Sequence, residues 1–404
     1  MILTQRNITE KIAFGMICIV AMLIPFHKTL ASPMLILSFI TILISGNYRY
    51  KLNRLLHNKR YLFFGSLFLL FVFGYFISTN TQLAWRDLEI KLYLLAIPLF
   101  YAVIHPFTAK ERKWILDLFV IACVAFIVVA LGIAIYHLIA TGENHFYYKE
   151  LLAFTPLHPS YAGMFQAMAA VILVMNLLIN WETIPRKWRI LQLSIIFVIT
   201  LFIFLLTAKM AIASVFILLS IAFYLLGSQF MGKKKAVIII VAGNLFALAL
   251  MWSLPYTRER IKLLFTYNEV AYDNSVNSRK EIWTAAIDVI KANPLVGTGT
   301  GDAEADLIAA YERNGFKLGV QEKYNAHNQY LQILVETGIV GFLCFIGFLF
   351  LCIRIAIRYK NYLYLAFLLL WIVNIATESM LETQSGVVFF SFFNVLLALH
   401  SGRD

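Results

Sequence analysis

The stretch that decides the fold runs from Pro255 to Glu336: PYTRERIKLLFTYNEVAYDNSVNSRKEIWTAAIDVIKANPLVGTGTGDAEADLIAAYERNGFKLGVQEKYNAHNQYLQILVE. It is the one long polar interval in a chain otherwise made of one apolar run after another. It opens with Arg258-Glu-Arg260 and passes through Asn277-Ser-Arg279-Lys280. A helical pattern then ends at Asn293-Pro294, followed by the glycine-rich Gly297-Thr-Gly-Thr-Gly301, and Tyr324-Asn-Ala-His327-Asn328 stands just before apolar periodicity resumes. Roughly eighty polar residues between two apolar runs are too many for a connector, so this interval is expected to carry chemistry while the apolar runs hold its substrate.

Working outward, the chain is 61% hydrophobic and 14% charged, with a mean hydropathy of +0.78. Those values lie well outside the soluble globular range. About 20 apolar residues cross a bilayer, and twelve such runs are expected, near 12–26, 30–45, 61–78, 90–104, 114–139, 162–180, 189–206, 210–226, 236–254, 338–357, 362–377 and 386–400. Several are short enough for tilt or re-entry. The expected fold is therefore an all-α polytopic membrane protein of about 12 transmembrane helices, with a large, partly helical loop between helices 9 and 10. It divides into a membrane domain over 1–254, the loop over 255–336 and a second membrane part over 337–404. No cleavable signal peptide is expected, because no small-residue cleavage site follows Ile12–Phe26 and the next run begins almost at once. Cys18, Cys123, Cys344 and Cys352 lie inside apolar runs and read as small core residues.

The net charge of +12 raises nucleic acid as a partner until the positions of the charges are considered. With the N-terminus in the cytoplasm, the inside segments carry 20 Lys and Arg, the short outside segments carry 5, and the long loop, largely exempt from the rule, carries the other 9 of 34. This bias orients the chain with both termini inside and the long loop outside. The basic excess is a topology signal, and nucleic acid is set aside.

Inside the loop, Ser278–Ala292 places Ile282, Trp283, Ala286, Ile287 and Ile290 on one helical face, with Ser278 as expected N-cap and Glu281 completing a capping box. Such a helix suits the membrane surface or packing over the spans. Gly297–Gly301 lacks the Gly-Lys-Ser/Thr ending of a phosphate-binding loop and reads as a turn. Metal ligation has little support: there is no His-x-x-x-His and no cysteine pair, and Asp302, Glu304 and Asp306 lack calcium-loop spacing.

Candidate chemistry gathers at the expected outer surface. His327, followed by Asn328, sits where the loop meets the membrane. An ordinary imidazole titrates near pH 6.5, which suits a base taking a proton from a hydroxyl, against the plainer reading of a surface histidine. Arg279, at the expected helix start, works against the helix dipole. Lys209 lies in a tight turn between two spans, where a cation is costly unless paired or facing water. Arg258 opens the loop and is a candidate for binding the donor pyrophosphate. Lys91, one turn into the fourth span, is expected either to snorkel or to meet an anion. His158-Pro-Ser-Tyr161 opens the sixth span, as a helix cap and aromatic belt or as part of the site. Glu378 and Glu382, in the outer turn before the last span, are placed to pair with these cations or to orient His327. An outward site of cations, one histidine and flanking carboxylates suits a lipid-linked anionic substrate, with cations neutralising a pyrophosphate leaving group.

Arg279-x3-Trp283, Asn293-Pro-Leu-Val-Gly297-x-Gly299, His327-Asn328 with Leu331, and Glu336-Thr-Gly338 together resemble the signature of the O-antigen ligase and polymerase family. Leu206-Thr207-Ala-Lys209 is similar to the family's Thr-x-Ser-Arg segment, with lysine where arginine is usual. His158-Pro-Ser-Tyr161 and Glu378-Ser-Met-Leu-Glu382 with Gly386 are similar to its weaker features. The sharp motifs cover about a fifth of the chain, and their ordered combination is more specific than any one of them. The resemblance implies a metal-independent glycosyltransferase without cofactor in a bacterial inner membrane, acting at the periplasmic face on a glycan carried by undecaprenyl pyrophosphate. Ligases pass that glycan to the lipid A core; polymerases pass it to another lipid-linked repeat. By the same resemblance His327 is the base, with Lys209 and Arg279 holding the pyrophosphate. Lysine at 209 keeps the charge and loses the bidentate fork. Ligase is preferred to polymerase. A secondary transporter is the competing class, but charges there cluster near the bilayer midplane with repeat symmetry between halves, and no such repeat is visible here.

Overall fold

The computed structural model describes residues 7–27, 29–57, 59–253, 258 and 275–398. The opening of the polar interval, residues 255–274 apart from Arg258, lies outside the described residues. Every regular element described is helical, with no strand.

Among the described residues, four helices suffice by length and hydropathy to cross a membrane: Ala109–Ala140 (α8), Pro159–Asn180 (α9), Arg186–Leu205 (α10) and Gln329–Arg358 (α16). The number rises to six if each of two bent pairs is one span. Ala31–Ile44 (α2) with Tyr48–His57 (α3) bends by 116°, and Lys59–Gly65 (α4) with Leu67–Ile77 (α5) by 41°. Other apolar runs form helices well under the usual crossing length, among them Tyr93–Val103 (α7, 11 residues, Pro98 inside it), Tyr362–Asn374 (α17, 13 residues) and Gln384–Ala398 (α18, 15 residues).

The chain forms two compact units. The first comprises residues 1–122, 281–368 and 375–404, the second 123–280 and 369–374. In the first, Ile8–Leu23 (α1) packs along α2, α4 and α18 pack on α7, and α5 packs on α16 and on Thr81–Lys91 (α6). From Gly386 onward α18 is buried on all sides, which its sequence of valine, phenylalanine and leucine requires of a helix enclosed by protein. Phe119, Phe367, Phe389 and Phe393 form a ring cluster, with Phe119 and Phe393 centroids 4.8 Å apart, edge to face. Water supplies little drive for helix association in lipid, so such shape-matched packing is what joins these helices. In the second unit α9 packs against α10 and Lys209–Met231 (α11), and α11 against Lys233–Ser253 (α12).

The loop builds a small core of its own. Ser275–Ala292 (α13), Ala303–Arg313 (α14) and Lys317–Glu322 (α15) surround Ile282, Ala285, Ala286, Val289, Leu307, Ala310 and Tyr311. Two expectations are corrected. The helix begins three residues before Ser278, which therefore lies inside it. Its buried face is 282, 285, 286 and 289, a rotation that leaves Ile287 43% exposed, because the small residues Ala285 and Ala286 admit the close neighbour that isoleucine would hold off. Burial pushes the Asp306 carboxyl on α14 above its ordinary range; Asp302 adds to the shift, while Thr298 and Arg313 oppose it.

The glycine-rich turn is structural. Thr298 and Gly299 donate to the carbonyls of Val335 and Glu336 (both 2.9 Å), while Ile339 and Val340 donate to those of Pro294 and Leu295 (2.9 and 3.2 Å). Residues 294–299 thus take over hydrogen bonds that α16 would otherwise make within itself, and α16 breaks at Gly338 (φ +60°, ψ −164°). That conformation is accessible only to glycine. A β-carbon on Gly338 would overlap the Leu295 carbonyl, and one on Gly297 (φ +74°) would lie 2.5 Å from the Thr337 nitrogen.

Candidate active site

The first unit brings together the segment 325–336 and the turn 375–382. Asn328 begins α16: its side-chain oxygen accepts from the N–H groups of Tyr330 and Leu331 (2.9 and 3.2 Å), satisfying two donors that a helix start leaves over. Its own N–H donates to Ser379 Oγ (3.1 Å). Gln329 reaches the turn three ways. Its N–H donates to the Ile375 carbonyl (2.9 Å), its side-chain oxygen accepts from Leu381 N (2.6 Å), and its side-chain amide donates to Glu382 (3.2 Å).

Within this frame His327 occupies a left-handed backbone conformation (φ +42°), with its N–H donating to Asn325 Oδ1 (3.0 Å). Nδ1 lies 3.0 Å from Glu378 Oε1, and Tyr324 stands edge-on to the ring at 5.4 Å. The imidazole is 26% exposed and the Glu378 side chain 8%. An ionised carboxylate only accepts, so this bond places the proton on Nδ1 and leaves the lone pair on Nε2. The arrangement can take a proton from a hydroxyl that reaches Nε2.

Beside the histidine lies an acid-rich polar cluster. Lys91, the last residue of α6, is completely buried. Its ammonium pairs with Asp87 one turn earlier and with Glu382 (3.0 Å), and stands over the Phe71 ring at 4.5 Å. A third acidic side chain, Glu336, lies within the electrostatic reach of this lysine. It is 1% exposed; one of its oxygens accepts from Gln332 (2.7 Å) and the other has no hydrogen-bond partner. Lys91 therefore does not snorkel: two half-buried carboxylates hold its ammonium inside. Asp87, Gln329, Gln332 and Glu336 were not singled out as site residues from sequence. The i, i+4 spacing of Asp87 and Lys91 was a legible signal; their pairing with Glu382 across 291 positions was not.

Lys209, Arg258, Arg279, His158 and Tyr161 belong to the second unit. Lys209 is the first residue of α11 and half-buried. Thr207 before it turns the chain with φ +50°. The N-terminus of α11 adds its own partial positive charge to that of Lys209. Arg279 is half-buried on α13 and Arg258 is half-buried and helical. His158 caps α9: its Nδ1 accepts from Ser160 N (3.3 Å), with Pro159 in the first helical position. Tyr161 is buried. Among the described residues, one group of metal-ligating side chains converges, His137, Glu143 and His145.

The family model described as O-antigen ligase matches residues 151–346, just under half of the chain. That segment belongs to the O-antigen ligase family. It contains His158, Tyr161, Lys209, Arg258, Arg279, His327 and Asn328, and it ends inside α16; Lys91, Glu378 and Glu382 come from outside it. The family comprises ligases and polymerases, membrane enzymes of glycosyltransferase type that act on lipid-linked glycans. No curated protein matches the chain.

Proposed function

We propose that this protein is a ligase-type glycosyltransferase of the bacterial inner membrane, with both termini cytoplasmic and the 255–336 loop periplasmic. It would transfer a glycan from undecaprenyl pyrophosphate to a lipid A-core acceptor, with His327 as general base and without a metal in the chemical step. The observation that carries the reading is the His327–Glu378 bond. It fixes one imidazole tautomer at a loop–helix junction inside, or fastened to, the family segment.

In this mechanism the acceptor hydroxyl gives its proton to Nε2 as its oxygen attacks the anomeric carbon. The bond from that carbon to the pyrophosphate oxygen breaks, and undecaprenyl pyrophosphate leaves with the electron pair. A sugar hydroxyl is far too weak an acid to ionise alone near neutral pH, so proton removal accompanies attack. Lys209, Arg279 and Arg258 are assigned to the leaving pyrophosphate, where developing negative charge gains most from fixed cations. Lys91, held by Asp87 and Glu382, instead anchors the turn that carries Glu378.

The test uses purified protein and lipid-linked donor. His327→Gln keeps a hydrogen-bonding side chain but removes the base, and turnover is expected to fall about 10²–10⁴-fold with donor binding retained. Near wild-type turnover would overturn the assignment. Deletion of the gene, read on lipopolysaccharide gels, separates the two family activities: core without any added glycan indicates ligation, and core bearing a single repeat indicates polymerisation.

A further inference from the structure

The end of α8 and the loop after it carry three metal-binding side chains within nine residues: His137, Glu143 and His145. One ligand atom from each lies within 4.8 Å of the other two. The two imidazoles are stacked, with centroids 4.1 Å apart and planes 1° from parallel. Nδ1 of both rings is buried without a hydrogen-bond partner. His145 Nε2 lies 3.2 Å from Glu143 Oε2, so Nε2–H donates to the carboxylate and the lone pair of His145 is left on Nδ1, the form that ligates metals. Stacked imidazoles with orphaned nitrogens are a poor arrangement for their own sake, because a buried unsatisfied polar atom costs free energy and two adjacent rings repel once both are protonated.

We propose that His137 and His145, with Glu143 as third ligand or as the carboxylate that orients His145, bind a divalent transition-metal ion. Two imidazoles and a carboxylate suit zinc, and argue against magnesium and calcium, which prefer all-oxygen sites. Zinc–ligand bonds near 2.0–2.1 Å hold ligand atoms about 3.3–4.2 Å apart, so the ligand atoms must close by about 1 Å and the parallel rings must tilt until both lone pairs point at the ion. The backbone already gathers the three. Thr141 Oγ1 donates to the His137 carbonyl (2.8 Å) and accepts from Glu143 N (3.3 Å), and further along Tyr148 N donates to the Leu205 carbonyl (3.0 Å). Glu143 is 66% exposed, which gives the ion an entry path and a water as its remaining ligand. The ion would staple the segment after α8 to that helix, a role separate from the chemistry at His327.

The experiment uses the full chain in detergent, purified with a tag free of histidine, stripped by chelator and titrated with zinc chloride alone. Expected is one zinc per chain retained through desalting. Retention should be lost in His137→Ala and in His145→Ala, weakened about 10–100-fold in Glu143→Gln and unchanged in His57→Ala. His137→Asp, which restores a ligand atom, should recover part of the affinity and so separates a lost ligand from a lost fold. No zinc retained by the unmodified chain, or one equivalent still retained by the His137→Ala/His145→Ala double variant, would overturn the proposal. Zinc content is read without turnover, so this result and the one at His327 stand or fall apart.

Discussion

Glu378→Ala probes the histidine without touching it. The Glu378–His327 bond spans 3.0 Å, and the carboxylate is 8% exposed. A hydrogen bond to a charged group contributes about 1.5–3 kcal/mol. If all of it serves to hold the tautomer and steady the imidazolium formed in the transition state, kcat falls about 10–150-fold at 1.36 kcal/mol per decade. KM for the donor should stay within about twofold, since the bond makes no contact with the pyrophosphate in this mechanism. The decisive measurement is the cycle with His327→Gln in purified protein. Glu378 acts only through His327, so the double variant should be no slower than His327→Gln alone. Multiplying defects, or wild-type turnover in Glu378→Ala, would refute the reasoning and leave Glu378 with a different duty or none.

Lys91→Met removes the buried ammonium from between two half-buried carboxylates. Attraction over the 3.0 Å to Glu382 is about 5.5 kcal/mol at an effective dielectric of 20, most of it offset by desolvation. Stranding the acids costs about 3–5 kcal/mol. A melting curve in detergent should show a large drop, mostly recovered when Asp87→Asn and Glu382→Gln are added; no drop would show the pair to be idle. Gly338→Ala meets both a glycine-only backbone and the Leu295 carbonyl. The backbone strain alone is roughly 1–3 kcal/mol, so melting temperature and turnover should fall together, while alanine at Gly347, which has open space around it, serves as the control. Lys209→Ala and Arg279→Ala should each raise the donor requirement at normal protein levels, with Lys209→Arg largely active; full activity in both alanine variants would remove these residues from the site. A cysteine at Gly315 should react with an impermeant thiol reagent added outside and one at Lys234 should not, the reverse pattern overturning the orientation.

Much of this was legible locally. Apolar periodicity locates helices whatever their tertiary surroundings, and Pro159 after His158 marks a helix start because a proline in the first turn sacrifices no helical hydrogen bond. Among the described residues, four helices, or six counting each bent pair as one, are long and apolar enough to cross a membrane. The 61–78 run bends by 41° between α4 and α5, and the 90–104 run is interrupted at Leu92 between α6 and α7. The rotation of α13 escaped because hydrophobicity ranks Ile287 above Ala285, whereas packing rewards the residue small enough to let a neighbour in. The His137–Glu143–His145 group matches no standard spacing, since it depends on a turn folding back on the end of α8. The exchange of backbone bonds between 294–299 and 335–340 depends on partners some forty residues apart, and a sequence pattern carries no record of it beyond the isolated glycines.

That exchange has a consequence for how the chain is assembled. The carbonyls and N–H groups around Gly338 find partners only when the Pro294 strip is already in place, and the strip finds its own only when the helix arrives. Neither piece is a finished folding unit, so completion of the loop and seating of its following span form one cooperative event. Since Asn328 opens the same helix, His327 gains its position at that moment and not before. A chain halted before α16 would hold most of the family segment and still have no organised base. The strip 294–299 is likewise denied the freedom of a swinging lid: any opening large enough to free it would break its backbone bonds to α16.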